Sequence, residues 1–282
     1  MGERRTRRPT RRVLVALALC GILVTTLPTV SAQPGESADS SSPGPMVTDR
    51  PTASASPLVI PRRTFQLEMG HKGSRTEGEP EALDAQVLPD LLARYGINRK
   101  IEVRLAAAGW TLESGPGERP IGISDISVGA KIALAEEKGR RPQMGFLVDV
   151  SLPVGHSDFT TDRAVPQFLF LASNSLSDRL GLTYNIGPSL VASTTNGRSV
   201  TDVELEYAVA LSGSVGGPFS LFGELFGAFP FGSNLLDRHS FQAGTTILLS
   251  PRFQIDLRGG LGLVEGVPDW LVGAGLAFRL PH

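Results

Sequence analysis

The sequence predicts an all-β fold, an antiparallel transmembrane β-barrel of about 12 strands. Three observations point to it. From about residue 63 onward, apolar and polar residues alternate with a period of two, as they do along a strand with one apolar face. Many of these segments extend to roughly 10 residues, the length that a tilted strand needs to cross a bilayer. Tight turns and longer links also alternate along the chain, which is typical of outer-membrane barrels.

The first 32 residues have the organisation of a secretory signal peptide. Six arginines between residues 4 and 12 precede an apolar run from Val13 to Leu27, and Val30-Ser31-Ala32 forms a small-residue cleavage site. We therefore expect an exported, outer-membrane protein that is cleaved near Ala32. A single anchoring helix is the alternative, and the shortness of the apolar run and the processing motif disfavour it. Cleavage would change the formal net charge from −1 to −6, because the segment carries six arginines and one glutamate.

The next segment, residues 33–62, is rich in Ser, Pro, Ala and Thr, which predicts a disordered periplasmic linker before a barrel at 63–282. The one cysteine of the sequence, Cys20, lies in the signal peptide. The mature chain can therefore form no disulfide, thiolate metal site or cysteine nucleophile. Its mildly acidic charge gives no sign of nucleic-acid binding, and we expect no nucleic-acid partner.

The last segment shows the alternation most clearly. Its apolar side chains would share one face and its small or charged side chains the other: Trp270, Val272, Ala274, Leu276, Phe278 and Leu280 against Leu271, Gly273, Gly275, Ala277 and Arg279. The same split predicts strands at 65–72, 101–105, 125–134, 143–150, 180–186, 202–211 and 253–258. Weaker candidates lie near 87–95, 166–175, 217–229 and 238–249.

One strand is ambiguous, because the leucines and valine of residues 81–94 would also fit a short amphipathic helix that Pro89 interrupts. The connections are clearer. Tight turns are predicted at 96–99, 137–140, 177–178 and 250–251, and longer links at 75–86, 110–122, 154–165, 188–199 and 230–237. Outer-membrane barrels have their short turns on the periplasmic side, so we expect both ends of the barrel there.

The polar faces carry charges of both signs, and we predict that they line the lumen. The candidates are Glu68, Glu102, Arg104, Asp125, Lys131, Asp149, Glu204, Glu206, Asp256, Arg258 and Arg279, with Lys72 and Glu224 also on these faces. They fit either a polar conduit or binding site, or an interior filled by ion-paired side chains, because an unpaired desolvated charge is costly. Such mixed charge disfavours strong selectivity for anions or cations.

Catalytic and metal sites are not predicted. Gly155-His156-Ser157-Asp158 and His239-Ser240 bring candidate nucleophiles and bases together, but neighbouring residues of a strand point to opposite faces. The first motif also lacks the second glycine of a nucleophile elbow. The four histidines, at 71, 156, 239 and 282, lack metal-ligand spacing. A lipid-modifying barrel enzyme is the least favoured hypothesis, and we expect no cofactor.

Several motifs resemble one known family. Thr48-Asp49-Arg50-Pro51, followed by Phe65-Gln66-Leu67-Glu68, is similar to the mature start of the outer-membrane transporters linked to the meta-cleavage pathway of phenol degradation. Further similar stretches lie at 93–104, 126–131, 151–155 and 268–275, so the resemblance covers about 47–280. It implies a barrel for passage of hydrophobic or aromatic compounds, with outer-membrane lipid, the assembly machinery and small hydrophobic solutes as partners. A closed structural or ligand-binding barrel without transport remains the alternative.

Overall fold

The computed structural model describes residues 46–78, 82–115, 120–195, 198–231 and 235–280. The predicted signal peptide and residues 33–45 of the predicted linker lie outside these ranges. Thirteen strands follow in order: β1 (Phe65–Thr76), β2 (Leu83–Gly96), β3 (Ile101–Ser114), β4 (Ile121–Ile123), β5 (Ile126–Ala135), β6 (Gln143–Leu152), β7 (Val165–Ser175), β8 (Leu180–Thr195), β9 (Arg198–Gly216), β10 (Phe219–Pro230), β11 (Arg238–Ser250), β12 (Phe253–Gly262) and β13 (Trp270–Leu280).

The sheet closes on itself. Each strand pairs antiparallel with its neighbours, and β1 pairs with both β2 and β13, in a register from Phe65↔Leu280 to Arg75↔Trp270. The three-residue β4 and the longer β5 both pair with β3, so together they occupy one position in the wall. The wall therefore has 12 strand positions, which confirms the predicted barrel. Among the described residues, no helix is long and apolar enough to cross a membrane.

The two rims differ as predicted. One rim has connections of two to four residues at 97–100, 176–179, 217–218 and 251–252 and one of seven residues at 136–142, and we call it the short-turn rim. The opposite, long-loop rim has the connections at 77–82, 153–164, 231–237 and 263–269. The predicted long link at 188–199 is wrong, because β8 and β9 stay paired up to Thr195↔Arg198. This hairpin extends beyond both neighbours, whose last pairs are Gln167↔Ser189 and Glu204↔Pro230.

The ambiguous segment is strand β2 rather than a helix. Pro89 lies where the pairing with β1 shifts between Gly70 and Lys72, so two β2 residues face one β1 residue there. A bulge of this kind tolerates a residue that has no N–H to donate. On the other side, Gly109 of β3 lets the proline approach, since a Cβ there would lie 2.7 Å from the Pro89 ring.

The outer surface is apolar and the interior is charged. Outward side chains of the strands include Val103, Leu105, Val128, Leu134, Phe146, Ile186, Val209, Leu225, Leu257 and Val272, all of them exposed. Exposed aromatic side chains mark both ends of this surface: Tyr95 and Phe219 near the short-turn rim, and Trp110, Phe168, Phe229 and Trp270 near the long-loop rim. An apolar band between aromatic girdles is typical of the outer surface of a barrel that spans a bilayer. The closed ladder of strand pairing satisfies the backbone N–H and C=O groups, which lipid cannot do.

The outer surface predicts a depth-dependent cost for a charge. Leu257, at the middle of β12, is outward and exposed, and Leu249, near the end of β11, is also exposed. We expect Leu257→Arg to lower the free energy of unfolding by about 2–4 kcal/mol and Leu249→Arg by about 0–1 kcal/mol. Denaturant titration in lipid bilayers measures both values. Equal costs at the two positions would contradict a bilayer centred on the apolar band between the two sets of aromatic side chains.

Candidate functional site

The lumen holds a segment of the chain itself. Residues 46–61, which we call the strap, lie inside the barrel, with Met46, Asp49, Arg50, Ser54, Ala55, Pro57 and Ile60 buried. The prediction of a disordered linker is therefore wrong for the described residues 46–62. Their composition supplies too little apolar surface for a core of their own, but the barrel wall provides the missing contacts. The strap is ordered because its polar backbone is satisfied by side chains that lie far away in the sequence.

The strap enters and leaves at the short-turn rim. Near its start, the Val47 carbonyl accepts hydrogen bonds from Gln66 Nε2 at 2.8 Å and from Arg94 at 3.1 Å. Near its end, the Pro61 carbonyl accepts a hydrogen bond from the Thr64 amide at 3.2 Å, just before β1 begins. The turn between these two ends, at residues 52–55, reaches into the lumen. The strap thus fills the part of the lumen that lies toward the short-turn rim.

Wall side chains bind the strap mainly through its backbone amides. Glu68 accepts from two consecutive amides, those of Asp49 at 3.0 Å and Arg50 at 2.8 Å. Glu224 does the same for Ala53 and Ser54, both at 2.7 Å.

Two further wall residues also bind the strap backbone. Asn185 accepts from the Ala55 amide at 2.7 Å and donates to the Ala55 carbonyl at 3.0 Å. Glu102 accepts from the Ile60 amide at 2.9 Å. Hydrogen bonds to a charged acceptor are the stronger kind, so the three carboxylates are the main anchors of the strap backbone.

One strap side chain lies among three cations of the wall. The Asp49 carboxylate is 2.7 Å from Lys131 Nζ, 2.8 Å from an Arg104 nitrogen and 3.8 Å from an Arg94 nitrogen. Burial alone would raise the pKa of Asp49, but these three cations hold it well below its usual range. The carboxylate therefore contributes to stability at neutral pH, and this contribution is lost only as the pH falls through the lowered pKa.

The cations and carboxylates around Asp49 form one network. Arg94 is fully buried and binds Glu102 through Nε at 2.9 Å and Glu68 through a terminal nitrogen at 3.0 Å. Lys131 is also 3.6 Å from Glu102. Each charge of the network has at least one partner of opposite sign, which offsets the cost of burying these charges away from water.

Inward glycines make room for the second strap charge. Arg50 binds Asp90 at 2.6 Å and lies 3.9 Å from Asp256. A Cβ on Gly70 would lie 2.3 Å from the Arg50 guanidinium, and one on Gly275 would lie 2.7 Å from an Asp256 oxygen. The small side of β1 and β13 is therefore the surface against which the strap arginine packs.

Two cavities remain beside the strap. The first, which we call the chamber, has a volume of about 350 Å³ and lies toward the long-loop rim, where the 263–269 loop contributes Val267 and Pro268. Most of its lining is apolar, and the polar groups are few: Ala53, Leu169, Ala208, Phe226, Ala228, Val267, Pro268 and Leu271, with Asn185, Glu206, Tyr207, Arg238 and Ser240.

The second cavity, which we call the charged cavity, has a volume of about 280 Å³ and lies along the strap. Charged residues dominate its polar lining: Asp49, Arg50, Asp90, Arg104, Asp149, Glu206 and Arg258. Ala53, Leu169 and Glu206 line both cavities, so the two adjoin. The lining thus becomes less apolar from the chamber to the charged cavity beside Asp49.

Ten of the eleven predicted lumen residues belong to the inward faces of the strands. Glu68, Glu102, Lys131, Glu204, Asp256 and Arg279 are buried there, and Arg104, Asp149, Glu206 and Arg258 line the charged cavity. Glu224, which the sequence also placed on an inward face, binds the strap. The structure brings Glu68, Glu102, Arg104 and Lys131 together around Arg94 and Asp49. Their contact with a solute stays a prediction.

Asp125 is the exception, and its assignment to the lumen is wrong. It lies between β4 and β5 at the long-loop rim and accepts hydrogen bonds from the Gly155 amide at 3.0 Å and the Thr161 amide at 2.9 Å. Partial burial opposes its ionisation, but these amides lower its pKa overall. Asp125 precedes the first residue of β5, Ile126, so its side chain binds the 153–164 loop at the rim.

Sequence reasoning missed the strap residues Asp49 and Arg50 and the wall residues Arg94, Asn185 and Arg238. Arg94 lies in the ambiguous segment 81–94, so the sequence did not show whether its side chain points into the lumen or outward. The conspicuous signal was the charged pair in Thr48-Asp49-Arg50-Pro51, within an otherwise uncharged stretch. The Gly155-His156-Ser157-Asp158 motif, for which the sequence predicts no catalytic role, lies on the surface. There His156 Nδ1 is 3.3 Å from Asp158, and both side chains are half exposed.

The carboxylate anchors predict a local loss of order when one is neutralised. Glu224→Gln places an amide group against two strap amides that both need an acceptor, which costs about 1–3 kcal/mol. We expect faster hydrogen exchange at the Ala53 and Ser54 amides, measured by mass spectrometry. Glu265→Gln, at an exposed position of the 263–269 loop, is the control and should leave that exchange unchanged. Unaltered protection in Glu224→Gln would show that the carboxylate does not hold the strap.

The inward glycines predict a second difference. Gly70→Ala would bring a Cβ within 2.4 Å of the Ala274 carbonyl oxygen as well as onto Arg50, whereas a Cβ on outward Gly223 would meet Phe241 at an ordinary 3.7 Å. We expect Gly70→Ala to lower the free energy of unfolding by about 1–3 kcal/mol, as overpacking does, and Gly223→Ala to change it little. Denaturant titration compares the two variants, and equal stabilities would refute the close approach.

Comparison with known proteins agrees with this architecture. The chain is similar to an outer membrane channel from Pseudomonas putida F1, with 11% identity over 82% of this chain and 100% of that chain and a TM-score of 0.67. The NanC porin is similar at 9% identity over 76% of this chain and 100% of that one, with a TM-score of 0.54. At these identities the likeness establishes the fold. A search of curated protein sequences finds no match.

The sequence also matches the model of a protein family. The family described as MetA-pathway of phenol degradation matches residues 48–280, from the strap to the last strand. That range includes the Thr48-Asp49-Arg50-Pro51 stretch and all thirteen strands. The resemblance seen in the sequence motifs is thereby confirmed, and the chain belongs to the family of the MetA-pathway of phenol degradation.

Proposed function

We propose that this protein is a passive outer-membrane channel for small hydrophobic or aromatic compounds. One observation carries the proposal: a barrel whose outer face fits lipid encloses a mostly apolar chamber of about 350 Å³ near its long-loop rim. Lumens of outer-membrane barrels are generally polar. A chamber lined by Leu169, Phe226 and Leu271 therefore favours solutes with apolar surface. Its volume lies in the range of small-molecule sites.

The charged cavity continues the route. It adjoins the chamber and extends along the strap to Asp49 and Arg104. Beyond it, buried strap and wall residues fill the lumen toward the short-turn rim, among them Pro57, Ile60, Thr64 and Gln66. A solute that enters from the long-loop side would pass the apolar chamber first and then meet the strap.

Export and membrane insertion belong to the same proposal. The signal peptide would be cleaved near Ala32, and the assembly machinery of the outer membrane would insert the barrel, with lipid around its apolar face. In this proposal the protein is not an enzyme, needs no cofactor and binds no nucleic acid. The half-exposed His156 and Asp158 support this reading, because catalytic groups are usually held in a cleft that excludes water.

A closed barrel that binds a ligand without transport is the second candidate. The strap favours it, because the lumen toward the short-turn rim is filled by residues with almost no exposed surface. The two candidates differ in flux. Uptake of a panel of small aromatic compounds by cells with and without the gene tests them: faster uptake with the gene supports the channel, and equal uptake supports the closed barrel.

The chamber predicts which residues affect that uptake. Leu271→Asn places a polar group on the apolar lining of the chamber, and binding of an apolar solute there should weaken by about 1–3 kcal/mol. We expect slower uptake of benzyl alcohol by cells that carry this variant. Leu236→Asn, at an exposed position of the 231–237 loop, is the matched control and should keep the original rate. If both variants take up benzyl alcohol equally, the chamber is not on the route.

A further inference from the structure

The Asp49 carboxylate occupies a site that belongs to the wall. Its partners, Arg94, Arg104 and Lys131, come from strands β2, β3 and β5, whereas Asp49 comes from the strap. Among the described residues, Asp49 is the ion-pair partner of Arg104. The three cations therefore converge on a carboxylate that is not part of the barrel.

The site has an unused donor. Asp49 contacts one terminal nitrogen of Arg104, while Arg104 Nε is buried and has no hydrogen-bond partner in the described part of the chain. The Arg104 side chain is 9% exposed. A guanidinium binds a carboxylate best through two parallel hydrogen bonds, one to each oxygen. A carboxylate free to turn could use both nitrogens, which Asp49 does not.

The site is also reachable. Asp49 and Arg104 line the charged cavity, and that cavity adjoins the chamber through Ala53, Leu169 and Glu206. A molecule with an apolar ring and a carboxylate would fit the two cavities in order, with its ring toward the chamber and its charge toward Arg104.

Charge balance selects the ligand. Glu102 and Glu68 also pair with Arg94, and Asp149 lines the same cavity, so the site as a whole is not strongly positive. Exchange of the Asp49 carboxylate for another carboxylate conserves the charge. A neutral ligand in the same place would leave Arg104 without its ion-pair partner and Lys131 with Glu102 alone, which is costly in a buried site.

We propose that Arg94, Arg104 and Lys131 form a carboxylate-binding site in the barrel wall, that Asp49 occupies it as a built-in ligand, and that small aromatic carboxylates displace Asp49 and loosen the strap, which then depends on its backbone anchors alone. The inference rests on the proposed channel function, because the solute arrives through the chamber. Asp49 is tethered and competes at an effective concentration in the millimolar range, so a free carboxylate must reach similar concentrations.

The first test measures how far the strap loosens in the intact protein. The mature chain has no cysteine, so Ser54→Cys places a single thiol at a buried strap position. Millimolar benzoate should raise its rate of reaction with a small methanethiosulfonate reagent about tenfold, within the usual range of coupling between sites. Benzamide, the neutral isostere, should leave the rate unchanged. Equal rates with benzoate and benzamide would overturn the proposal.

The second test measures the site itself. Asp49→Asn removes the built-in competitor, so benzoate should bind this variant about tenfold more tightly than the unaltered protein in equilibrium dialysis. Adding Arg104→Gln should abolish that gain, and circular dichroism checks that each variant keeps its β structure. Unchanged affinity in folded Asp49→Asn, or unchanged affinity on adding Arg104→Gln, refutes the site.

The two proposals fail separately. Uptake of neutral benzyl alcohol tests the channel without using the carboxylate site. If the gene leaves benzyl alcohol uptake unchanged while benzoate accelerates thiol modification, the channel proposal fails and the site stands. If benzyl alcohol uptake depends on the gene and benzoate acts like benzamide, the channel stands and the site fails.

Discussion

Compensation of buried charge is the constraint on which the rest of this structure depends. A closed barrel in lipid turns its polar faces inward, and there the charges of opposite wall strands face a narrow space with little water. The strap resolves part of this problem. Asp49 compensates Arg104 and Lys131, and strap amides satisfy Glu68 and Glu224. Wall and strap are therefore one electrostatic unit.

The same constraint shapes the wall around the strap. The Arg50 side chain of the strap packs against the wall because Gly70 and Gly275 are at inward positions of β1 and β13, and Arg50 fills the space that side chains there would take. The remaining volume is divided between an apolar chamber and a charged cavity. The charged cavity is lined both by the strap, at Ala53, and by wall residues that hold the strap, such as Arg104.

Prediction from the sequence succeeded where geometry is local. The alternation around Val103 and Val128 defines inward and outward faces, because successive side chains of a strand point to opposite sides. It failed at phase changes. β2 was ambiguous because a bulge at Pro89 interrupts the period-2 alternation of its side chains. Asp125 follows the inward alternation of β5 but lies outside that strand, before its first residue. The 188–199 link was misread because its Ser, Thr and Gly content is that of a loop, although cross-strand pairing makes it a hairpin.

The sequence by itself determined the barrel. The number of strands, the inward and outward residues and the two unlike rims follow from the period-2 alternation and the lengths of the connections. The tertiary structure decided what occupies the interior. A Ser- and Pro-rich segment has no local tendency to order, and its partners Glu68, Glu102, Asn185 and Glu224 are spread over four strands. No periodicity of the strap encodes those contacts, since they exist only after the wall has closed around it.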